Sequence, residues 1–176
     1  MIFQRSIKNE VSAIGVGLHS GEKVRITLKP SKENSGIIFK RTDLDLPVEI
    51  NVEPKAIKET RLSSTIGKGK NKILTIEHLM SALSASGIDN IIIEVDGSEI
   101  PIMDGSSISF VYLINSAVVY EQSKPKKFAV IKEEIKVQED EKYAKFEPYN
   151  GFLVDFTIDF PHPAFKEENN RVEIDF

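Results

Sequence analysis

The pairing of an acid with an imidazole at Glu77 and His78 is the most chemically informative feature of the sequence. Four apolar residues around the pair recur at helical spacing: Ile76, Leu79, Met80 and Leu83. At about 100° per residue, Glu77 and His78 lie on the helix face away from this apolar stripe. That face otherwise carries small side chains, at Ser81, Ala82, Ser84 and Ala85. Neighbouring helix residues do not contact each other, but both can reach one external group that approaches such a smooth surface.

Zinc-dependent hydrolysis is a chemistry that suits this pair. An imidazole binds the metal, and a neighbouring carboxylate takes a proton from the water that the metal activates. The usual helical zinc motif has a second His four residues after the first, and Ala82 stands at that place. From these two residues alone, a solvated helix face is the more common interpretation.

Two other segments resemble known motifs but lack required parts. Residues 15–21, GVGLHSG, resemble a dinucleotide-binding fingerprint, but the third glycine comes one place late and a strand follows where a helix is needed. We expect a backbone turn there, with His19 at its tip. Residues 103–109 contain several serines without a G-x-S-x-G spacing or a paired base. Asp104 or Ser106 is therefore expected to cap a helix.

Short strands and two helices are expected to position these residues. The first helix begins at Thr75 and ends with Gly87 at its C-cap, and the second runs from Asp104 or Ser106 towards Val118. Alternating or apolar segments predict strands at 23–28, 36–40, 48–52, 90–95, 128–131, 135–138, 143–147 and 152–158. Residues 121–127, EQSKPKK, are interpreted as a linker, which divides the chain into a first domain at 1–123 and strands of a second at 124–176.

Composition restricts the class of protein. The chain has 176 residues, 40% apolar and 28% charged, with Lys+Arg 23 against Asp+Glu 27 and no Cys. The apolar fraction argues against disorder. The lack of Cys excludes disulfide frameworks and Cys-built zinc sites. The near balance of charges argues against the basic face that binding of nucleic acid or an anionic membrane requires. Because the sequence shows neither a signal peptide nor a membrane span, we expect a cytoplasmic protein. We also expect it to be a monomer.

Several longer segments together resemble one enzyme family. They are residues 15–21 (GVGLHSG), 75–79 (TIEHL), 87–94 (GIDNIIIE) and 99–107 (EIPIMDGSS), with 147–152 and 155–160 in the second domain. In order and spacing they resemble UDP-3-O-acyl-N-acetylglucosamine deacetylase, the zinc amidase of bacterial lipid A biosynthesis. The resemblance implies an α+β fold, a two-domain β/α sandwich in which each domain is a small, mostly antiparallel sheet with two helices, and an active site between the domains.

The resemblance also assigns roles to individual residues. By the family pattern His78 is a ligand of Zn²⁺ and Glu77 is the general base. Residues 60–64 match a strand beside the metal, so Leu62 and Ser63 are expected to bind substrate, as is His19, which matches a family His near the cleft. The substrate is an acylated UDP-N-acetylglucosamine, which loses acetate to leave a free amine. His162 corresponds to no catalytic position.

The sequence departs from the family pattern after residue 162. The family's other two zinc ligands come from a later His-x-x-x-Asp segment and its general-acid His lies later still, whereas no His follows His162 here. We therefore expect a chain truncated within its second domain and inactive alone, with an unpaired sheet edge near Phe176. The alternative is a non-catalytic sugar-nucleotide binding or interaction module, against which the presence of both Glu77 and His78 argues.

Overall fold

The computed structural model describes residues 1–160 and 168–174. The chain divides into two compact units, Met1–Lys126 and Lys127–Phe176, here called unit 1 and unit 2. The sequence predicts this division after residue 123, inside a linker at 121–127. The linker prediction is wrong, because residues up to Pro125 form a strand of unit 1.

Unit 1 is described throughout and contains both predicted helices. Its elements in chain order are β1 (Phe3–Ile7), β2 (Val11–Val16), β3 (Lys23–Pro30), β4 (Ile37–Arg41), β5 (Val48–Asn51), β6 (Ile57–Glu59), β7 (Thr65–Ile66), α1 (Glu77–Ala85), β8 (Ile91–Val95), α2 (Ile108–Ser116) and β9 (Val119–Pro125). One five-stranded sheet has the order β2-β3-β8-β4-β5. Its pairs are antiparallel except β4 with β8, in agreement with the predicted mostly antiparallel α+β fold.

The core of unit 1 lies on one face of this sheet. Alternate residues of β3 point inward, with Ile26 and Leu28 fully buried, because side chains in a strand alternate between faces. Leu79 and Leu83 of α1 are also fully buried, as are two residues of α2, Phe110 and Ile114. The predicted strands 23–28, 36–40, 48–52 and 90–95 are therefore confirmed, within about two residues at each end.

Helix α1 ends where the sequence predicts. Gly87 adopts a φ of +66°, a left-handed conformation that glycine takes without steric cost. Its N–H donates to the Ser84 carbonyl at 3.0 Å, and the Ile88 N–H donates to the Leu83 carbonyl at 2.9 Å. This pair of bonds is a Schellman motif, which satisfies carbonyls that the last helical turn leaves unpaired.

Helix α2 begins later than predicted. Its first residue is Ile108, whose N–H donates to Ser106 Oγ at 3.2 Å. The Asp104 carboxylate instead accepts hydrogen bonds from the backbone and hydroxyl of Ser106. Of the two residues that the sequence offers as caps, Ser106 therefore accepts the first N–H of the helix, whereas the Asp104 side chain closes a tight turn before it.

A two-stranded ribbon of β1 and β9 completes unit 1 and was not predicted. It is attached to the sheet through buried polar side chains. Asn90 Nδ2 donates to Gln4 Oε1 at 2.8 Å and to Gln122 Oε1 at 2.7 Å. After β9, Lys126 Nζ lies 2.8 Å from Asp89 Oδ2 and 3.0 Å from the Gly87 carbonyl oxygen, so the last residue of unit 1 is held at the end of α1.

Unit 2 consists of two antiparallel hairpins in its described part, residues 127–160 and 168–174. Strand β10 (Ile135–Glu139) pairs with β11 (Lys142–Phe146), and β12 (Phe152–Ile158) pairs with β13 (Glu168–Ile174). No described residue of unit 2 is buried, because a two-stranded hairpin has no further strand or helix to cover its apolar side chains. The strand predicted at 128–131 is absent, and His162 lies outside the described residues.

Across both described units, the helices are too short to cross a membrane.

Candidate active site

Glu77 is the first residue of α1 and is fixed there by a loop. Its Oε2 accepts the Ser64 N–H at 3.0 Å, while the Ile76 N–H donates to the Ser64 carbonyl at 3.3 Å. A negative charge in the first turn also interacts favourably with the positive end of the helix dipole. The half-buried carboxylate therefore has a defined direction but remains accessible.

His78 follows on the same helix and is also half-buried. Ser81, Ser84 and Ala85 are exposed, as the predicted smooth face requires. Ala82 is fully buried, however, so its assignment to that face is wrong. The apolar stripe of α1 is one residue wider than the sequence pattern indicates, because Ala82 packs into the core beside Leu79 and Leu83.

Leu62 and Ser63 lie in the loop that holds Glu77. Residues 60–64 form bends between β6 and β7, so the strand expected there from the family resemblance is absent. Leu62 has a φ of +64° and a side chain 84% exposed, whereas Ser63 is only 7% exposed. A left-handed φ is uncommon for leucine and costs roughly 1–3 kcal/mol. Such strain persists where surrounding bonds over-determine the backbone, as the bonds of Ser64 do here.

His19 occupies the exposed turn after β2, where the sequence places it. Its backbone N–H donates to Glu99 Oε1 at 3.0 Å, and the Thr75 hydroxyl donates to the same oxygen at 2.9 Å. Thr75 stands two residues before Glu77. The structure therefore connects the His19 turn, the 60–64 loop and the Glu77–His78 pair at the beginning of α1.

Glu99 is a residue of this region to which the sequence assigns no role. Its side chain is 1% exposed, and burial by itself raises the pKa of a carboxyl. Hydrogen bonds from the backbone of His19, from Ser20 and from the Thr75 hydroxyl outweigh that effect, so the pKa of Glu99 is held below its ordinary value. Residues 99–107 contribute to the family resemblance, but a single buried Glu has no local pattern that predicts its partners.

The zinc site that the family resemblance implies needs more ligands than the described residues bring together. Catalytic zinc has three protein ligands and an open position. Within residues 1–160 and 168–174, no three His, Asp or Glu side chains come together in a group that could hold a metal ion. His78 as a ligand and Glu77 as the neighbouring base therefore stay predictions from the family resemblance, because the described residues do not by themselves assemble a metal site.

Comparisons with known proteins identify the family to which this chain belongs. A family model described as "LpxC: UDP-3-O-acyl N-acetylglycosamine deacetylase" matches residues 4–176. The chain therefore belongs to a family whose model is described by the name of a deacetylase. This is the LpxC family, which confirms the family resemblance found in the sequence.

Curated relatives show how much of the family's length is present. The chain is 50% identical to a protein of Thioalkalivibrio sulfidiphilus, 48% identical to one of Cellvibrio japonicus and 51% identical to one of Coxiella burnetii. Each relative is named UDP-3-O-acyl-N-acetylglucosamine deacetylase, and each match covers 100% of this chain and 58% of the relative. The chain thus spans little more than half the length of these relatives.

Proposed function

We propose that the protein hydrolyses the N-acetyl group of an acylated UDP-N-acetylglucosamine in a zinc-dependent step of lipid A biosynthesis. Water adds its oxygen to the acetyl carbon, the C–N bond breaks, and the products are acetate and a free amine. Membership of the LpxC family supports the reaction class. The observation that carries the proposal within this chain is the Glu77 carboxylate, held 3.0 Å from the Ser64 N–H beside His78.

Each predicted site residue has one role in this proposal. Glu77 accepts a proton from the attacking water, and His78 supplies one ligand to Zn²⁺, which when bound polarises the amide carbonyl as a Lewis acid. Leu62 offers an exposed apolar surface to the substrate, and Ser63 and His19 contact it at the edge of the site. A cytoplasmic location and a monomeric state belong to the same proposal, and the absence of Cys in the sequence agrees with a reducing compartment.

We further propose that these 176 residues alone do not catalyse the reaction. The described residues bring together no three potential ligands, and the chain covers 58% of its relatives. Two ligands and a general acid are expected from sequence that lies beyond the matched part of those relatives. Zinc content and acetate release, measured side by side for this chain and for the full reading frame that contains it, test this point. Tight zinc binding with turnover by the 176 residues would contradict it.

Substitution of Glu77 tests the assigned base in the full reading frame. Glu77→Gln keeps an oxygen that can accept the Ser64 N–H but removes the base, so kcat/KM should fall by about 10²–10⁴-fold with zinc content unchanged. His78→Ala should instead lower zinc content. Ser81→Ala, on the exposed face of the same helix, is the matched control. An unchanged rate for Glu77→Gln would show that Glu77 is not the base.

A further inference from the structure

Glu99 joins two segments that are distant in sequence. Its Oε1 accepts the His19 N–H at 3.0 Å and the Thr75 hydroxyl at 2.9 Å, and its Oε2 accepts the Ser20 N–H at 2.8 Å. We call this set, Glu99 with His19, Ser20 and Thr75, the Glu99 bridge. Because a buried carboxylate is costly unless its oxygens are hydrogen-bonded, the charge of Glu99 is stabilised only while both segments stay in place.

Thr75 needs such support. Its φ is +58°, a left-handed value that is a genuine outlier for a β-branched residue. Three bonds determine the backbone here: the Thr75 hydroxyl to Glu99, the Leu74 N–H to the Ser98 carbonyl at 2.9 Å, and the Ile76 N–H to the Ser64 carbonyl at 3.3 Å. The conformation of Thr75 sets the direction in which α1 begins, and so the positions of Glu77 and His78.

The other end of the bridge is packed against backbone. Gly17 precedes the His19 turn, and a Cβ there would come within 2.5 Å of Glu99 Oε2 and closer still to Ser20 Oγ. A side chain at position 17 would therefore have to displace the Ser20 hydroxyl and the Glu99 carboxylate. The close approach leaves the turn little freedom to move independently of Glu99.

We propose that Glu99 is a positioning residue that holds the His19 turn and the beginning of α1 in one fixed arrangement. The catalytic part of this inference rests on the proposed function, because it takes His19 as a substrate contact and Glu77 as the base. Glu99 does not itself touch the reacting atoms. It accepts donors from both segments, so a displacement of either segment leaves buried groups unpaired.

Glu99→Gln is the sharpest variant because it keeps the size of the side chain. A glutamine amide has one acceptor oxygen and one NH₂, so in either orientation its NH₂ meets the N–H of His19 or of Ser20. Glu94→Gln is the matched control. Glu94 is a half-buried glutamate five residues before Glu99, and its carboxylate pairs with Lys29 at 2.8 Å on the sheet, away from the Glu99 bridge.

Amide hydrogen exchange of the 176-residue chain tests the bridge without any activity. In Glu99→Gln the amides of His19, Ser20 and residues 75–78 should exchange at least about tenfold faster, as expected when a buried donor loses its acceptor, while those of β8 keep their wild-type rates. In Glu94→Gln the amides of His19, Ser20 and residues 75–78 should keep their wild-type rates. Equal acceleration in β8 would mean that Glu99 stabilises the whole fold without a specific positioning role, and unchanged rates at His19 and Ser20 would mean that the bridge does not form. Either result overturns the proposal.

Kinetics of the full reading frame test the catalytic consequence. Glu99→Gln should lower kcat/KM by about 10- to 100-fold, the effect of one unsatisfied buried donor, with zinc content and the acidic limb of the pH profile unchanged. Thr75→Val should cause a loss in the same direction, and Thr75→Ser, which keeps the hydroxyl, should restore activity. The positioning role is overturned if kcat/KM of Glu99→Gln equals that of Glu94→Gln, or if kcat/KM of Glu99→Gln no longer falls at acidic pH. If the wild-type protein releases no acetate, the proposed function fails, and the exchange experiment still decides whether the bridge exists.

Discussion

Leu62 combines two features that rarely occur together, a left-handed backbone and a large exposed apolar side chain. Its φ is +64° and its side chain is 84% exposed. Neither feature stabilises the fold, since the backbone is strained and the side chain buries little area. A contact with a ligand would explain why a leucine occupies this position in the loop beside Glu77.

Leu62→Gly separates these two features. Glycine relieves the left-handed strain in the folded state, but it also raises the conformational entropy of the unfolded chain. Because these two effects oppose each other, the free energy of unfolding should change by less than about 1 kcal/mol. The substrate KM should rise in the full reading frame, because the apolar contact is lost. Steady-state deacetylation and denaturant unfolding measure the two quantities. Leu46→Gly, at a residue 79% exposed in the loop before β5, is the control. A KM equal to that of the control would exclude Leu62 from substrate binding.

At the scale of elements, Arg41 connects β4 to the loop that precedes α1. Arg41 is 4% exposed and donates to Asp43 Oδ1 at 2.7 Å and Oδ2 at 2.6 Å. Its remaining donors reach the carbonyls of Lys70 and Lys72 at 3.2 and 2.7 Å. The bidentate geometry makes this a strong ion pair, and the hydrogen bond from Arg41 holds the pKa of Asp43 below its ordinary value despite partial burial.

The lowered pKa of Asp43 predicts a pH dependence of stability. The stabilisation is complete above the pKa that Asp43 has in the unfolded chain, and it is lost as the pH falls through the lower folded-state pKa. Asp43→Asn should therefore reduce the free energy of unfolding by about 1–3 kcal/mol at pH 7, and by less as the pH falls towards 3. Urea unfolding of both proteins across this range measures the difference. A difference that stays constant with pH would contradict the assignment.

Within unit 1, the elements that the sequence predicts are those whose apolar pattern matches their burial. Strand β3 alternates, and α1 has an apolar stripe followed by a glycine, so local residues are sufficient to identify both. Strands β1 and β9 bury Gln4, Ser6 and Gln122 in hydrogen bonds, and such strands resemble polar linkers. Their pairing also joins the two ends of unit 1, which no local pattern records.

The candidate site likewise contains residues that the local sequence reveals and a residue that it does not. Glu77 and His78 are adjacent, and their spacing relative to the helix stripe is visible in the sequence. Glu99 acts through partners about 80 positions away in sequence, at His19 and Ser20. Its role depends on burial and on two close segments of backbone, which composition and periodicity do not report.

At the scale of the whole molecule, the buried residues among those described are confined to unit 1. Every residue of the described core cluster belongs to unit 1. In the described part of unit 2, large apolar side chains remain in water, with Val137 70%, Phe146 64% and Phe156 60% exposed. Since burial of apolar area is the main favourable contribution to folding, unit 1 accounts for the stability of this chain.

Shortened chains test where the stable unit ends. A polypeptide of residues 1–126 should keep the thermal midpoint of the 176-residue chain within a few degrees, because it retains β9 and the Lys126 contacts with Asp89 and Gly87. A polypeptide ending at residue 123 is the control, and it should be less stable by about 1–3 kcal/mol through the loss of buried, charge-assisted hydrogen bonds. Calorimetry measures both. Equal midpoints for the two shortened chains would place the boundary at residue 123 after all.

The pairing of β1 with β9 has a consequence for the synthesis of the protein. Phe3 pairs with Pro125 and Ile7 with Val119, so the strand that leaves the ribosome first receives its partner last. At roughly 5–20 residues per second, the nascent chain carries an unpaired β1 for roughly 6–25 seconds before β9 is made. During that interval the sheet edge of β1 is open to other chains, as is the Asn90 Nδ2 donor that later pairs with Gln122 Oε1. Chaperone demand during translation should therefore fall sharply once residue 126 has left the ribosome.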